Sequence, residues 1–481
     1  MKRNINCFLT GLILTILISS MMNSQDIDRT KRPVGKQAPK VTLPEIQKAT
    51  LKNGLNIWLV ERHELPTVAM NLVFQAGSDH DPAGQPGIAS MTADVIDEGT
   101  KNRDALKISS DLESVGANLN IGANWDGTFM SLNCLSKYFT KALDVYTDVL
   151  VNPAFPPKEF ERLQKQRITG LIQQRDQAVT IANNAFSFIL YGPNHPYGNN
   201  PSGTEASLKA MTANDLVKYY QTYYRPNNAT LIVVGDLKMS DITPVLEKAL
   251  ADWKPADVPA YMVPEAPAIE KMKLYLVDKP GAAQSEIRIG YPALPRSSPD
   301  YFPVQVMNRM LGGQFTSRIN LNIREKRGFT YGARSGFSFQ KGAGPFTASA
   351  GVQTAKSDSS VREFLYEINL MHDKGMTAEE LDFVKKGMIG SFALTFETPS
   401  QIAGALQSIV LYGLPENYFN NYLQNIEAVT LKDVEKVSRK YLDSSKMAVV
   451  VVGDLEKIKD GIAALKAGDI VLCDLDGKPV K

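Results

Sequence analysis

Histidine is scarce in this chain: 481 residues contain four, at positions 63, 80, 195 and 372. None of them pair at i, i+4, so no helix turn can offer two imidazoles to one metal ion. Cysteine is scarcer, with Cys7, Cys134 and Cys473. They form no C-x-x-C pair for zinc or redox work and no disulfide framework. No Ser-His-Asp or Cys-His set presents itself, which leaves a self-sufficient hydrolase without a nucleophile. An excess of charge is missing too: 53 basic against 51 acidic residues leave a net +2. With no basic cluster interleaved with aromatics, a nucleic-acid partner is excluded.

What remains is ordinary for a soluble globular protein, at 43% hydrophobic and 22% charged residues. The length exceeds one core, so two or more domains are expected. Lys2 and Arg3 precede an apolar stretch over residues 8–22, followed by the polar run 23–26. That order predicts a secretory signal peptide over residues 1–25, too short for a comfortable membrane span. Export follows, with the periplasm as destination and no stable membrane insertion after cleavage. The alternative is an uncleaved anchor, because no clean small-x-small site follows the apolar run. Cys7 lies too early for a lipid-bearing cysteine. The mature chain, with two distant cysteines, depends on packing for its stability.

The chain repeats itself. Residues 211–237 (MTANDLVKYYQTYYRPNNATLIVVGDL) align with residues 429–455 (VTLKDVEKVSRKYLDSSKMAVVVVGDL) without a gap. Upstream, SFILYG at 187–192 matches SIVLYG at 408–413, and 157–172 shares its apolar period with 377–392. Order and spacing agree, so two copies of one domain are predicted. A proline-rich linker at 26–47 leads into the first copy, 48–253. A second linker, 254–270, holds four prolines within residues 254–267 and reads as extended. The second copy is 271–481.

Within the first copy, strands are predicted at 55–60, 68–74 and 231–234, with two strands or one bent strand across 118–135. Helices are expected at 87–97, 109–115, 142–151, 157–174 and 181–191, with Thr212 capping another. Thr430 and the strand 449–452 repeat that ending. The fold class is α+β: two tandem homologous domains, each a mainly antiparallel sheet with helices on one face.

Residues 87–100 read GIASMTADVIDEGT. This frame resembles the zinc helix of the pitrilysin/insulinase-type metallopeptidases, whose inverted motif H-x-x-E-H brackets a general base with two histidine ligands. Ser90, Ala93 and Asp94 stand at those three positions. Asp94 alone cannot hold zinc, and Ala93 cannot act as a base. The resemblance implies a third ligand, a glutamate on a later helix. Residues 162–203 contain no glutamate, and Leu171 and Ile172 occupy its expected place. No cofactor is therefore expected on this chain. The segment 77–82, with His80 between two aspartates, reads as a polar loop, and His195 as a structural loop histidine.

The resemblance covers nearly the whole mature chain. It includes the strand at 51–57, the tyrosine-rich run 219–226 and the segment 311–332 (LGGQFTSRINLNIREKRGFTYG). It implies the processing-peptidase-like group, whose members work as two-subunit clamshells, this chain supplying one half. In that family an arginine and a tyrosine seven positions apart reach the zinc-bound substrate, and Arg324 and Tyr331 match them. A guanidinium can fork onto a carbonyl and a phenol can donate to an oxyanion. Read alone, residues 324–327 would be a solvated charge cluster. Gly312 and Gly313 form no phosphate loop, since no G-K-[ST] follows. One departure is Asn120-Ile-Gly-Ala123, where active members carry N-A-x-T on the strand that takes substrate by β-addition.

The resemblance thus implies a non-zinc-binding subunit of an exported two-subunit metallopeptidase. It would lend Arg324 and Tyr331 to a related zinc-bearing subunit acting on peptide substrates. The alternative is a catalytically inert structural or assembly protein on the same scaffold.

Overall fold

The computed structural model describes residues 45–480. The targeting segment and most of the first proline-rich stretch lie outside them. Among the described residues, twelve strands form two six-stranded sheets. The first sheet uses β1 (Gln47–Thr50), β2 (Asn56–Glu61), β3 (Thr67–Phe74), β4 (Asn118–Ala123), β5 (Thr128–Leu135) and β6 (Ala229–Gly235), in the order β1-β2-β6-β3-β5-β4. The second uses β7 (Lys273–Asp278), β8 (Gln284–Leu294), β9 (Thr330–Phe337), β10 (Gly344–Gln353), β11 (Ala448–Gly453) and β12 (Asp469–Cys473), in the order β12-β7-β11-β8-β10-β9. In the first sheet only the β2–β6 pair is parallel. In the second, β7 pairs parallel with both β11 and β12. The rest is antiparallel, and five strands of each sheet repeat one topology. The sixth differs: β1 precedes β2 and pairs antiparallel with it, whereas β12 ends the chain's second half and pairs parallel with β7.

Helices α1 (Ile88–Val95), α2 (Pro157–Gln174), α3 (Ala178–Tyr191), α4 (Ala213–Tyr223), α5 (Pro399–Tyr412) and α6 (Leu431–Tyr441) are among those that pack on the sheets or frame the motif positions. Their bounds follow local chemistry. Pro157 opens α2 at the position where its missing N–H costs nothing. Thr212 and Asp215 close a capping box on α4, and Thr430 and Asp433 repeat it on α6. The helix expected at 109–115 begins earlier, at Ala105, because the Asp104 side chain accepts from the Lys107 amide and caps it.

The central strands explain how the halves join. In β6, Leu231 and Val233 point into the core formed with the first half's own helices. Ile232 and Val234 point the other way, onto Ile402, Ala403, Leu406 and Ile409 of α5, a helix of the second half. β11 mirrors this, its Val450 and Val452 packing against Ile181, Ala182, Ala185 and Phe186 of α3 from the first half. Each half keeps its own helices on one face of its sheet and lends one helix to the other half's free face. Runs apolar on both faces, such as Leu231–Val234 and Val449–Val452, are what such a strand requires. Polar bonds fix the crossings: Asn71 Nδ2 donates to Gln407 Oε1 at 2.6 Å, and Arg288 Nε to Asn183 Oδ1 at 2.9 Å.

A buried node adds to the join. Asp126 accepts from Tyr197 Oη at 2.7 Å, Tyr412 Oη at 3.2 Å and the Lys341 amide at 3.2 Å. Burial raises its carboxyl above the ordinary aspartate range, against the pull of the Tyr197 hydroxyl. Among the described residues, no helix is long and apolar enough to cross a membrane.

Because α5 is shared, Ile409→Ala should destabilise the chain by about 2–5 kcal/mol. It should also weaken the opposite half: amide-exchange protection of β3 and β6, in residues distant in sequence, should fall with that of α5. Loss of protection confined to residues 399–412 would contradict this packing.

Candidate functional site

Helix α1 starts at Gly87, which has φ +97°. A Cβ there would come within 2.7 Å of Gly203 Cα, so glycine is required for both conformation and contact. Asp81 caps the helix through the Gly87 amide at 2.7 Å and the Ala89 amide at 2.9 Å. Burial nevertheless pushes its carboxyl up to about 8. The segment 77–82 is therefore not a solvated loop: Ser78–His80 is a short 3-10 turn with Asp79 buried. The His80 ring stands between Tyr223 and Tyr261, its Nδ1 2.5 Å from Asp79 Oδ1.

The motif positions divide by face. Ala93 is buried among core residues. Ser90 and Asp94, one turn apart, look toward α2 and meet Arg167. Arg167 Nη1 donates to Ser90 Oγ at 2.7 Å, and Arg167 Nη2 forms an ion pair with Asp94. Ser90 Oγ passes the chain on to the Pro201 carbonyl at 2.7 Å. Leu171, one turn beyond Arg167, packs against the first core, while Ile172 is half exposed. The side chain that faces the motif from α2 is thus Arg167, which sequence reasoning missed. Its only signal was the i, i+4 spacing from Leu171.

This donor set does not fit zinc. A catalytic site needs three neutral or anionic ligands, and here one carboxylate is already paired with a fixed cation. Among the described residues no group of three His, Cys, Asp or Glu could hold a metal. His63 lies on the surface with Asp236 and Glu61, which raise its pKa, and His372 pairs with Asp373. The remainder of the frame is structural. Thr100 Oγ1 donates to the buried Asp148 at 2.7 Å, and Arg103 joins Asp148 to Asp144 and Asp111. Glu98 pairs with Arg162 at 2.7 Å. Burial pushes the Asp97 carboxyl up to about 6.

In the second half Arg324 lies on a π-helical turn, Leu321–Lys326, marked by the Arg327 amide donating to the Asn322 carbonyl at 3.0 Å. Its guanidinium sits 4.6 Å from the Phe315 ring centre, and its Nη1 is 2.7 Å from Glu325 Oε1. The chain turns back at Gly328, φ +65°, whose amide bonds the Arg324 carbonyl. It then enters β9, an edge strand. The β9–β10 register pairs Ala333 with Ala350 but Thr330 with Val352, so Tyr331 and Gly332 together oppose Gly351. That bulge turns Tyr331 outward, 91% exposed, although Ala333, two residues on, is buried. Thr330 Oγ1 pins it, donating to the Gly351 carbonyl at 2.7 Å and accepting from the Gly332 amide at 3.1 Å. Gly312 lies so close to Ser335 that a Cβ would meet its amide at 2.3 Å. Among the described residues, no hydrogen bond or ion pair joins Arg324 or Tyr331 to α1. The two motifs sit on separate halves.

Arg167→Met should lower stability by about 1–2 kcal/mol, the half-exposed Asp94 limiting the loss. The triple change Ser90→His, Ala93→Glu, Asp94→His should still give no stoichiometric zinc, because Arg167 remains between the new ligands and Leu171 supplies none. Melting curves and metal analysis test both, and about one zinc per triple-variant chain would refute the second.

Two family models match the chain in tandem: "Insulinase (Peptidase family M16)" over residues 57–186 and "Peptidase M16 inactive domain" over residues 210–388. The "Non-peptidase homolog YmxG" of Helicobacter pylori is 27% identical over 432 residues, covering 89% of this chain and 97% of its own length. The "Zinc protease PqqE" of the same organism is 21% identical over 416 residues, covering 85% and 93%. A crystal structure of a peptidase M16 inactive domain from Pseudomonas fluorescens superposes with a TM-score of 0.79 at 28% identity, covering 85% of this chain and 98% of that one. With both domain types in order along one scaffold, and zinc positions held by Ser90, Ala93 and Asp94, the chain belongs to peptidase family M16, the insulinase family, as a member without the zinc motif.

Proposed function

We propose that this chain is the non-zinc subunit of an exported two-subunit peptidase, lending Arg324 and Tyr331 to a related subunit that carries the metal. The observation that carries the reading is the bulge at Tyr331. It holds a tyrosine almost wholly in solvent on an edge strand, where the fold gains nothing from it. The neighbouring π turn is the second irregularity in the segment, and such turns recur at functional sites. Gln314 Nε2, Ser317 Oγ and Asn322 Oδ1 are also buried there without a hydrogen-bond partner. Unmet polar groups gathered in one segment favour a ligand with complementary groups. Phe315 and Leu321, both exposed, border it.

In this reading the zinc would be held by the partner, where it would supply water activation and carbonyl polarisation. Tyr331 donates its hydroxyl proton in a hydrogen bond to the developing oxyanion, and Arg324 forks onto a flanking peptide carbonyl. Relatives of both kinds in one organism, a non-peptidase homolog and a zinc protease, support a division of labour. The basic and apolar start of the sequence supports export to the periplasm, with an uncleaved anchor as the alternative. The inert scaffold reading remains the rival, since nothing in the first half performs chemistry.

In the complex with a zinc-bearing relative, Tyr331→Phe should lower kcat about 10²–10³-fold, the usual effect of one oxyanion donor. Association and melting temperature should stay unchanged, since the hydroxyl is exposed and touches nothing. Arg324→Lys should also cleave poorly, because a point charge cannot replace the planar fork. A normally assembled Tyr331→Phe complex cleaving at the unmodified rate would favour the scaffold.

A further inference from the structure

The linker, residues 254–270, has no helix or strand, yet side chains of the first half hold it at several points. Asn227 Nδ2 donates to the Ala256 carbonyl at 2.9 Å, and the Ala256 amide donates back to Asn227 Oδ1 at 3.2 Å. The Tyr261 ring lies 4.5 Å from that of His80. Val263 packs so closely over Gly342 that a Cβ there would come within 2.7 Å of Val263 Cγ1. Then Pro264 meets His195.

His195 is only 5% exposed, and both ring nitrogens are committed. Nδ1 lies 3.1 Å from the Tyr197 amide nitrogen, which can only donate, so Nδ1 accepts. Nε2 lies 3.1 Å from the Pro264 carbonyl, which can only accept, so Nε2 carries the proton. One neutral tautomer satisfies both partners. The imidazolium does not: its Nδ1–H would face the Tyr197 N–H, donor against donor.

The surroundings supply no counter-charge. From α3, Tyr191 stacks at 4.9 Å with its hydroxyl spent on the Ala343 carbonyl. Tyr197 packs at 5.1 Å with its hydroxyl spent on Asp126. Lys341, from the β9–β10 loop, directs Nζ to the Gln75 carbonyl and toward Asp79. Glu265, on the linker itself, is exposed.

We propose that His195 is an acid-sensitive latch on the linker. Neutral, it ties residue 264 to the turn at Pro196–Gly198. Protonated, it releases the Tyr197 amide and loosens the linker. Tyr197 also receives the Gly342 amide at 3.0 Å, so the release reaches the β9–β10 loop and the Asp126 node. The direction in pH follows from burial, which lowers the pKa of His195 and outweighs the opposing bond to Pro264. A base whose pKa falls on folding contributes fully above the ordinary imidazole value of about 6.5. That contribution is lost as pH falls through its own, lower value.

Amide exchange of the full mature chain, corrected for intrinsic rates, reads the latch at Tyr197 and the linker at Ala256. Between pH 7.5 and pH 5, protection at both should fall roughly tenfold, the order of one lost hydrogen bond. His195→Gln, which keeps a donor and an acceptor but cannot titrate, should abolish the step, and His195→Ala should leave both amides weakly protected at either pH. His80→Gln, at the other histidine against the linker, should retain the step. The latch is overturned if protection is the same at both pH values, if Tyr197 responds without Ala256, or if the step survives in His195→Gln. It is equally overturned if His80→Gln removes the step. Melting curves of each variant at pH 7.5 separate loss of the latch from loss of the fold.

Discussion

The molecule depends on an exchange. A sheet with helices on one face leaves its other face apolar and bare, and this chain covers each bare face with a helix from the opposite half. Ile232 and Val234 need α5, and Val450 and Val452 need α3. Neither half can bury its own central strand on both sides, so neither has a complete core alone. The linker connects halves that are already interlocked by packing. Its own contacts run through Asn227, His80 and His195.

This interlock accounts for how a catalytic centre could vanish without harming the fold. The scaffold around α1 stands on contacts that never involved a metal: Asp81 on the helix amides, Gly87 against Gly203, Thr100 and Arg103 on Asp148. What a metal would have joined is α1 to α2, and Arg167 now does so. A guanidinium bridging Ser90 and Asp94 needs no third ligand and tolerates Leu171 where a carboxylate would stand. It is also incompatible with a divalent cation between the same two positions.

The parts of this structure legible in the sequence were those encoded by short-range chemistry. The 157–174 helix is marked by its proline and apolar period, the α4 and α6 starts by Thr–Asp capping boxes, and the duplicated topology by the aligned GDL-terminated strands. The missing zinc ligands were legible because three side chains must be present at fixed spacing. The helix exchange was not, since an apolar stripe does not say whose sheet it will cover. Nor was Arg167, one of many charged residues on an amphipathic helix until its partners are known. The loop at 77–82 was legible but its burial was not: Asp, Ser and His usually mark solvated loops, but here Asp79 is buried and His80 packs between two tyrosines.

The two halves differ in what they have kept, and that difference bears on function more than either half does. In the first half the zinc motif positions hold a self-contained polar cluster. Ser90, Asp94 and Arg167 satisfy each other. The second half carries local irregularities: a π turn, a bulge, an exposed Tyr331 and buried polar atoms without hydrogen-bond partners. Architecture alone gains nothing from the bulge or the exposed ring, since a regular β9 would be the more favourable strand. The asymmetry between the halves is physical: the polar cluster on α1 is closed on itself, while the segment around β9 holds an exposed tyrosine on an edge strand.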